Sequence, residues 1–88
     1  MKALVVGGGS IGKRHLRNLM TLGSVELALV ETDSKTRGRI AKELGVTEFT
    51  DLSDGLNSSP DFVVVSTPSH LHVHQALQVV RRGCDVFV

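Results

Sequence analysis

Continuous apolar runs and helix-spaced apolar positions alternate along the whole chain, each pair separated by a glycine, a proline or a polar turn. Ala3-Leu4-Val5-Val6 is the first run and predicts a strand over about 2–6. Leu16, Leu19, Met20 and Gly23 follow at helical spacing with Lys13, Arg14 and Arg17 opposite them, which predicts a helix from about Ser10 to Leu22. A second run, Leu27 to Val30, gives a strand from Glu26, and Ile40, Ala41 and Leu44 mark an amphipathic helix between Asp33 and Gly45, capped by Asp33 or Ser34. Thr47 to Phe49 fits a short third strand, followed by a poorly formed helical turn through Leu52 and Leu56. Asp61 to Ser66 is β-branched without alternation, as expected of a central strand covered on both faces. Beyond Pro68, Val73, Ala76, Leu77 and Val80 recur at helical spacing, Arg81 and Arg82 suit the helix end, Gly83 stops it, and Asp85 to Val88 begins a fifth strand.

Strand and helix in alternation predict an α/β fold with a parallel sheet. Right-handed crossovers then give a doubly wound (Rossmann) sheet in the order 3-2-1-4-5, incomplete on its C-terminal side, with a crevice where strands one and four diverge. Two segments meet there, the glycine turn after strand one and Ser66-Thr67-Pro68 after strand four.

The glycine turn, Gly7-Gly8-Gly9-Ser10-Ile11-Gly12, reads G-x-G-x-x-G. Adjacent glycines produce such matches by chance, so context carries the assignment. A strand precedes the turn, a helix follows, and Glu31 ends the second strand nineteen residues after Gly12. In that setting Gly7 permits the tight turn, Gly9 lets the backbone approach a pyrophosphate, Gly12 allows close helix–strand packing, and the diphosphate rests on N–H groups near Ser10 and Ile11. Glu31 is placed to accept from the adenosine ribose hydroxyls, and its charge opposes a 2′-phosphate, so NAD is favoured. Lys35 and Arg37 could bind a 2′-phosphate if Glu31 turned away, which keeps NADP open; their plainer reading is the solvated face of the second helix.

At 88 residues the chain is one domain, residues 1–88, burying about two-thirds of its unfolded surface. A net charge of +1 with interspersed acids and bases gives no field that selects nucleic acid or a membrane surface, and with only Phe49, Phe62 and Phe87 aromatic, base stacking has no platform. Cys84, the single cysteine, cannot form an internal disulfide and reads as a small semi-buried thiol. No apolar stretch is long enough to span a bilayer and a strand opens the sequence, so the expected location is cytoplasmic.

Other residues have plain readings. Lys13, Arg14 and Arg17 form a solvated basic face, and His15, on the apolar side of that helix, is a packed, hydrogen-bonded histidine. His70, His72 and His74 would share a face only in a strand, so no metal is assigned to them. Asp51, Asp54 and Asp61 fall in connections, where caps and turns are the default.

Gly7 to His15 resembles the G-x-G-x-x-G-x-x-H opening of the Gfo/Idh/MocA family (glucose-fructose oxidoreductase and inositol dehydrogenase), and Val30-Glu31-Thr32-Asp33 resembles its acidic strand-two end. Val65-Ser66-Thr67-Pro68-Ser69-His70-Leu71-His72 is similar to its T-P-x-x-x-H segment, and the resemblance covers essentially all 88 residues. It implies that Ser66, Thr67 and Pro68 contact the cofactor, with His72 on the active-site side. It also implies an oxidoreductase moving hydride between a nicotinamide and a sugar, inositol or related polyol, whose substrate and acid–base groups come from a C-terminal domain and which is oligomeric. Family members continue from strand five into Glu-Lys-Pro, whose lysine is the usual acid or base; Asp85 to Val88 matches that strand. The expectation is therefore a cofactor-binding portion without catalytic residues of its own, inactive alone and, with an open strand edge, inclined to self-associate. Two other readings stand beside it: a stand-alone NAD-sensing module, and a methyltransferase using S-adenosylmethionine, which fits the glycine spacing less well.

Overall fold

Successive residues of a strand face opposite sides of a sheet, and two cores form on that alternation. Leu4 and Val6 join Val30, Leu52, Leu56, Val63, Val65 and Val79 on one side, whereas Val5 joins Leu16, Leu29 and Ile40 on the other. The computed structural model describes residues 1–88, all but residue 69 with their side chains. Five parallel strands, β1 (Lys2–Val6), β2 (Glu26–Val30), β3 (Thr47–Phe49), β4 (Phe62–Val65) and β5 (Asp85–Phe87), lie in the order β3-β2-β1-β4-β5, as the alternation predicts. Helices α1 (Ser10–Met20) and α2 (Ser34–Leu44) cover the Val5 side, and α3 (Leu52–Asn57) and α4 (Ser69–Arg81) cover the Leu4 side. In register, Val5 lies beside Leu29 and Val64, and Val6 beside Val30 and Val65, so the carboxyl ends of β1, β2 and β4 stand level.

Local chemistry sets the helix ends. Asp33 caps α2 by accepting from the Thr36 N–H at 2.9 Å and the Thr36 hydroxyl at 2.5 Å, and those two bonds hold its carboxyl below the ordinary aspartate range. Helix α1 stops at Met20 rather than Leu22, because the Thr21 hydroxyl donates to the Asn18 carbonyl at 2.6 Å and the chain tightens into i→i+3 bonds through Leu22 and Gly23. Strand β4 is shorter than expected, Phe62–Val65, although the N–H groups of Asp61 and Ser66 still donate to Lys2 and Val6 of β1. Its faces are unequally covered, with Val63 and Val65 buried and Phe62 and Val64 half-buried.

Two helices differ from the sequence reading in instructive ways. Helix α3 is a capped helix rather than a poor turn, with Asp51 accepting from the Asp54 N–H at 2.9 Å. Gly55, which lowers its intrinsic helicity, is there because a Cβ would lie 2.6 Å from Val30 Cγ2 and 2.9 Å from Leu4 Cδ2; the helix rests directly on the sheet. Helix α4 is apolar around most of its circumference, so its periodicity fits more than one phase. The sheet takes Val79, with Ala76, Gln75 and His72 half-buried behind it, and leaves Val73, Leu77 and Val80 exposed.

Among the described residues Ser59 is the one non-glycine with a left-handed backbone, at φ 59°. That conformation costs a residue with a Cβ roughly 1–2 kcal/mol, part of which glycine's extra unfolded-state freedom cancels. Ser59→Gly should therefore raise stability by about 0.5 kcal/mol, read as an increase of a few degrees in Tm; a lowered Tm would contradict the strain assigned to Ser59. Among the described residues no helix is long and apolar enough to cross a membrane.

Candidate functional site

The crevice at the carboxyl ends of β1, β2 and β4 has a volume of about 610 Å³. One wall is the glycine turn with Gly7, Gly9, Ser10 and Ile11; Glu31 and Thr32 close the β2 end, and Ser66, Thr67, Pro68, Leu71 and His72 form the opposite wall. Nine of the ten residues singled out in the sequence are thus brought together. The tenth, Gly12, is buried behind the turn.

Turn geometry follows from what a Cβ would meet. Gly7 has φ +100°, donates its N–H to the Val30 carbonyl at 2.8 Å, and would drive a Cβ to 3.0 Å from Thr67 Cγ2 and 3.1 Å from the Ser66 backbone. A Cβ on Gly12 would lie 1.7 Å from the Gly7 carbonyl oxygen, so the first turn of α1 packs directly on the glycine turn. Around Gly9 a Cβ would meet nothing within 4 Å; this side of the backbone opens to the crevice.

Helix capping separates this end of the molecule from the rest. The aspartates Asp33 and Asp51 cap α2 and α3, whereas α1 and α4, which begin at the crevice with Gly9 and Pro68 as N-caps, have no side-chain cap. The N–H groups of a helix's first turn have no partner within the helix and carry the positive end of its dipole, so uncapped ends at a crevice suit an anion.

Glu31 is held on both oxygens. Its Oε1 accepts from the Gly8 N–H at 2.7 Å and Oε2 from the Asp33 N–H at 2.9 Å, while each oxygen keeps lone pairs for further donors. Gly8, a variable position of the motif, is buried against this carboxylate; a Cβ would approach Glu31 Oε1 to 3.3 Å and Ile40 Cδ1 to 3.0 Å. No sequence signal singled it out.

On the opposite wall the Ser66 hydroxyl is engaged with the carbonyls of Val6 at 2.9 Å and Gly7 at 3.1 Å, fastening the β4 end to the β1 end. The His72 ring nitrogen Nε2 pairs with the Thr67 carbonyl, and the Thr67 hydroxyl donates to Gln75 Oε1. Leu71 and Thr32 also line the crevice, and Gln75 lines an adjoining recess of about 150 Å³ beside Asp51 and Leu52. The periodicity of α4 concealed Leu71 and Gln75.

Several readings change in detail. Lys13 and Arg17 are ion-paired with Glu43 of α2, each at 2.7 Å, and the Lys13 bond chiefly holds the Glu43 carboxyl below the ordinary glutamate range; Arg14 is exposed as expected. Arg37 is not on a solvated face: its side chain is 17% exposed, with Nη1 on the Glu31 carbonyl at 2.9 Å and Nε 3.5 Å from Glu48 Oε1. His15 is half-buried, with no hydrogen bond among the described residues in place of the expected one. Cys84 is half-buried, its thiol 3.4 Å from the Pro60 carbonyl, and Asp61 accepts from the Lys2 N–H at 2.7 Å. His70 and His74 are exposed and His72 half-buried; no cluster of three metal-ligating groups occurs among the described residues. A second cavity, of about 320 Å³, opens at the other end of the sheet near Lys2, Glu26 and Pro60, away from the glycine turn and from the carboxyl strand ends where such sheets bind ligands.

Comparison with known proteins agrees with this geometry. The Gfo/Idh/MocA family model, described as an oxidoreductase family with an NAD-binding Rossmann fold, matches residues 1–88. The chain is similar to 4-carboxy-2-hydroxymuconate-6-semialdehyde dehydrogenase of Sphingobium sp. (strain NBRC 103272 / SYK-6), 29% identical over 91 residues that span all of this chain and 29% of that protein. Among solved structures it superposes on GenD2 from gentamicin A biosynthesis, in complex with NAD, with a TM-score of 0.92 and 33% identity, covering 98% of this chain and 25% of GenD2. It also superposes on scyllo-inositol dehydrogenase from Lactobacillus casei, with bound NAD(H) and scyllo-inositol, with a TM-score of 0.85 and 29% identity, over 98% of this chain and 26% of the other. The chain thus spans between a quarter and a third of the length of these relatives.

Proposed function

The chain belongs to the Gfo/Idh/MocA oxidoreductase family as its NAD-binding Rossmann domain, and from that premise we propose that residues 1–88 hold NAD for hydride transfer to and from a sugar, inositol or related polyol. The observation that carries the reading is the pairing of two uncapped helix ends with a fixed carboxylate across one crevice. The N–H groups near Gly9, Ser10 and Ile11 would take the diphosphate, and Glu31 the adenosine ribose hydroxyls. Thr67, Pro68 and His72 would flank the nicotinamide half, with Gly7, Gly12 and Ser66 holding the two walls together. NAD supplies the hydride acceptor when bound.

What the chain itself contributes is binding and orientation. Substrate positioning and proton transfer need groups at near-attack geometry, and in this reading they come from outside residues 1–88, consistent with the fraction of each relative that the chain spans. The polyol class is supported by the scyllo-inositol bound in the Lactobacillus casei enzyme. Calorimetric titration tests the cofactor: NAD should bind more tightly than NADP, and S-adenosylmethionine should not compete. Absence of NAD binding at millimolar concentration by the folded chain would overturn the reading.

A further inference from the structure

The guanidinium of Arg37 is where a 2′-phosphate ligand would not be. Its residue does not line the crevice, its side chain is mostly buried, and two of its three nitrogens are engaged within the fold: Nη1 on the Glu31 carbonyl and Nε toward Glu48 of β3. The Glu31 N–H makes the ladder bond to the Phe49 carbonyl at 3.1 Å, and at the Glu31 carbonyl the guanidinium, rather than β3, is the recorded partner. Arg37 thus carries the β2–β3 connection one bond past the end of the sheet. From that point the Glu31 side chain turns to Gly8 and Asp33. The Arg37 N–H, donated to the Asp33 carbonyl at 2.9 Å, ties the same arginine into the first turn of α2.

We propose that Arg37 is a positioning residue for cofactor choice: it fixes the β2 end so that Glu31 presents its carboxylate to the ribose of NAD, and it does not bind a 2′-phosphate. The proposal rests on the reading of the crevice as an NAD site. Arginine suits the task because its planar group holds a carbonyl and a carboxylate from separate nitrogens in a fixed fork, whereas the donors of lysine share one freely rotating nitrogen and fix neither direction.

The test uses Arg37→Gln, Arg37→Lys and Glu48→Gln, with NAD and NADP affinities measured at about 0.15 M salt, where exposed charges are largely screened. Amide hydrogen exchange at Gly8 and Asp33, the two donors to Glu31, is followed without ligand. Arg37→Gln should weaken NAD about tenfold, the size of one lost charge-assisted hydrogen bond, leave NADP no weaker, and speed exchange at both amides. Arg37→Lys should recover part of the NAD affinity. Glu48→Gln, which frees the guanidinium from its ion pair while keeping its charge, should move every readout the same way by less, and it serves if Arg37→Gln does not fold. A larger loss for NADP than for NAD would show a 2′-phosphate ligand and overturn the proposal. Unchanged exchange at Gly8 and Asp33, or an unchanged NAD to NADP ratio, would overturn it too. If the wild-type chain binds neither cofactor, the NAD reading fails and the proposal falls with it, whereas a wild type that binds NAD with an insensitive Arg37 variant sinks the proposal alone.

Discussion

Gly12→Ala should abolish dinucleotide binding and lower stability by about 3 kcal/mol or more, the upper range for overpacking. The added methyl carbon would lie 1.7 Å from the Gly7 carbonyl oxygen, 2.8 Å from the Gly7 carbonyl carbon and 2.9 Å from Ser66 Oγ. Two of these neighbours are backbone, so no rotamer change can clear them. Relief requires either lifting α1 off the turn or displacing Gly7, whose N–H bond to Val30 and positive φ set the path of the chain into the crevice. Either movement also pulls on the Ser66 hydroxyl that bridges Val6 and Gly7. For a domain of this size a loss of about 3 kcal/mol corresponds to a Tm lower by roughly 12–24 °C, a large part of a typical total stability. Thermal unfolding and NAD titration on the same sample check both halves. Gly9→Ala is the internal control: a Cβ there meets nothing within 4 Å, so it should leave Tm near wild type while hindering the approach of a diphosphate. A Gly12→Ala protein with unchanged Tm would refute the packing account.

The same comparison shows where the sequence is informative. Strand order, the glycine turn and the carboxylate after β2 were legible because each rests on local chemistry: β-branched runs, a positive φ, an acid at a set distance. The buried face of α4 was not, since Val73, Ala76, Leu77, Val79 and Val80 supply apolar residues on most sides and only the sheet beneath selects Val79. The poor turn expected through Leu52 and Leu56 is a capped helix for a related reason: Gly55, a weak helix former in itself, is the contact that lets α3 lie on Leu4 and Val30. Arg37 and Gly8 were hidden because their roles are relations between distant segments, one joining β2 to Glu48 of β3, the other meeting a carboxylate 23 residues on. Long-range pairing of this kind leaves no period and no motif.

Glu31→Ala should weaken NAD binding by about two orders of magnitude, and the origin of that figure separates two contributions. Hydrogen bonds to a charged group are worth roughly 1.5–3 kcal/mol, so the loss of ribose acceptors alone predicts about a 10- to 100-fold effect. The carboxylate also accepts from the Gly8 and Asp33 N–H groups, and removing it frees the amide inside the glycine turn. Affinity should therefore fall further through a less ordered turn, while amide exchange at Gly8 rises even without cofactor. Glu31→Gln divides the contributions. Its amide oxygen can still accept from the Gly8 N–H, but its NH₂ would face the Asp33 N–H, donor against donor. The turn should stay protected at Gly8, NAD should weaken about tenfold, and NADP should weaken less or improve because the charge opposing a 2′-phosphate is gone. Measuring both affinities across a salt series checks the last point. Repulsion between Glu31 and a 2′-phosphate is screened by salt, so the wild-type preference for NAD should shrink as ionic strength rises and the Glu31→Gln preference should change less. An NAD affinity unaltered in both variants would place the ribose elsewhere in the crevice and leave Glu31 as a support for the glycine turn alone.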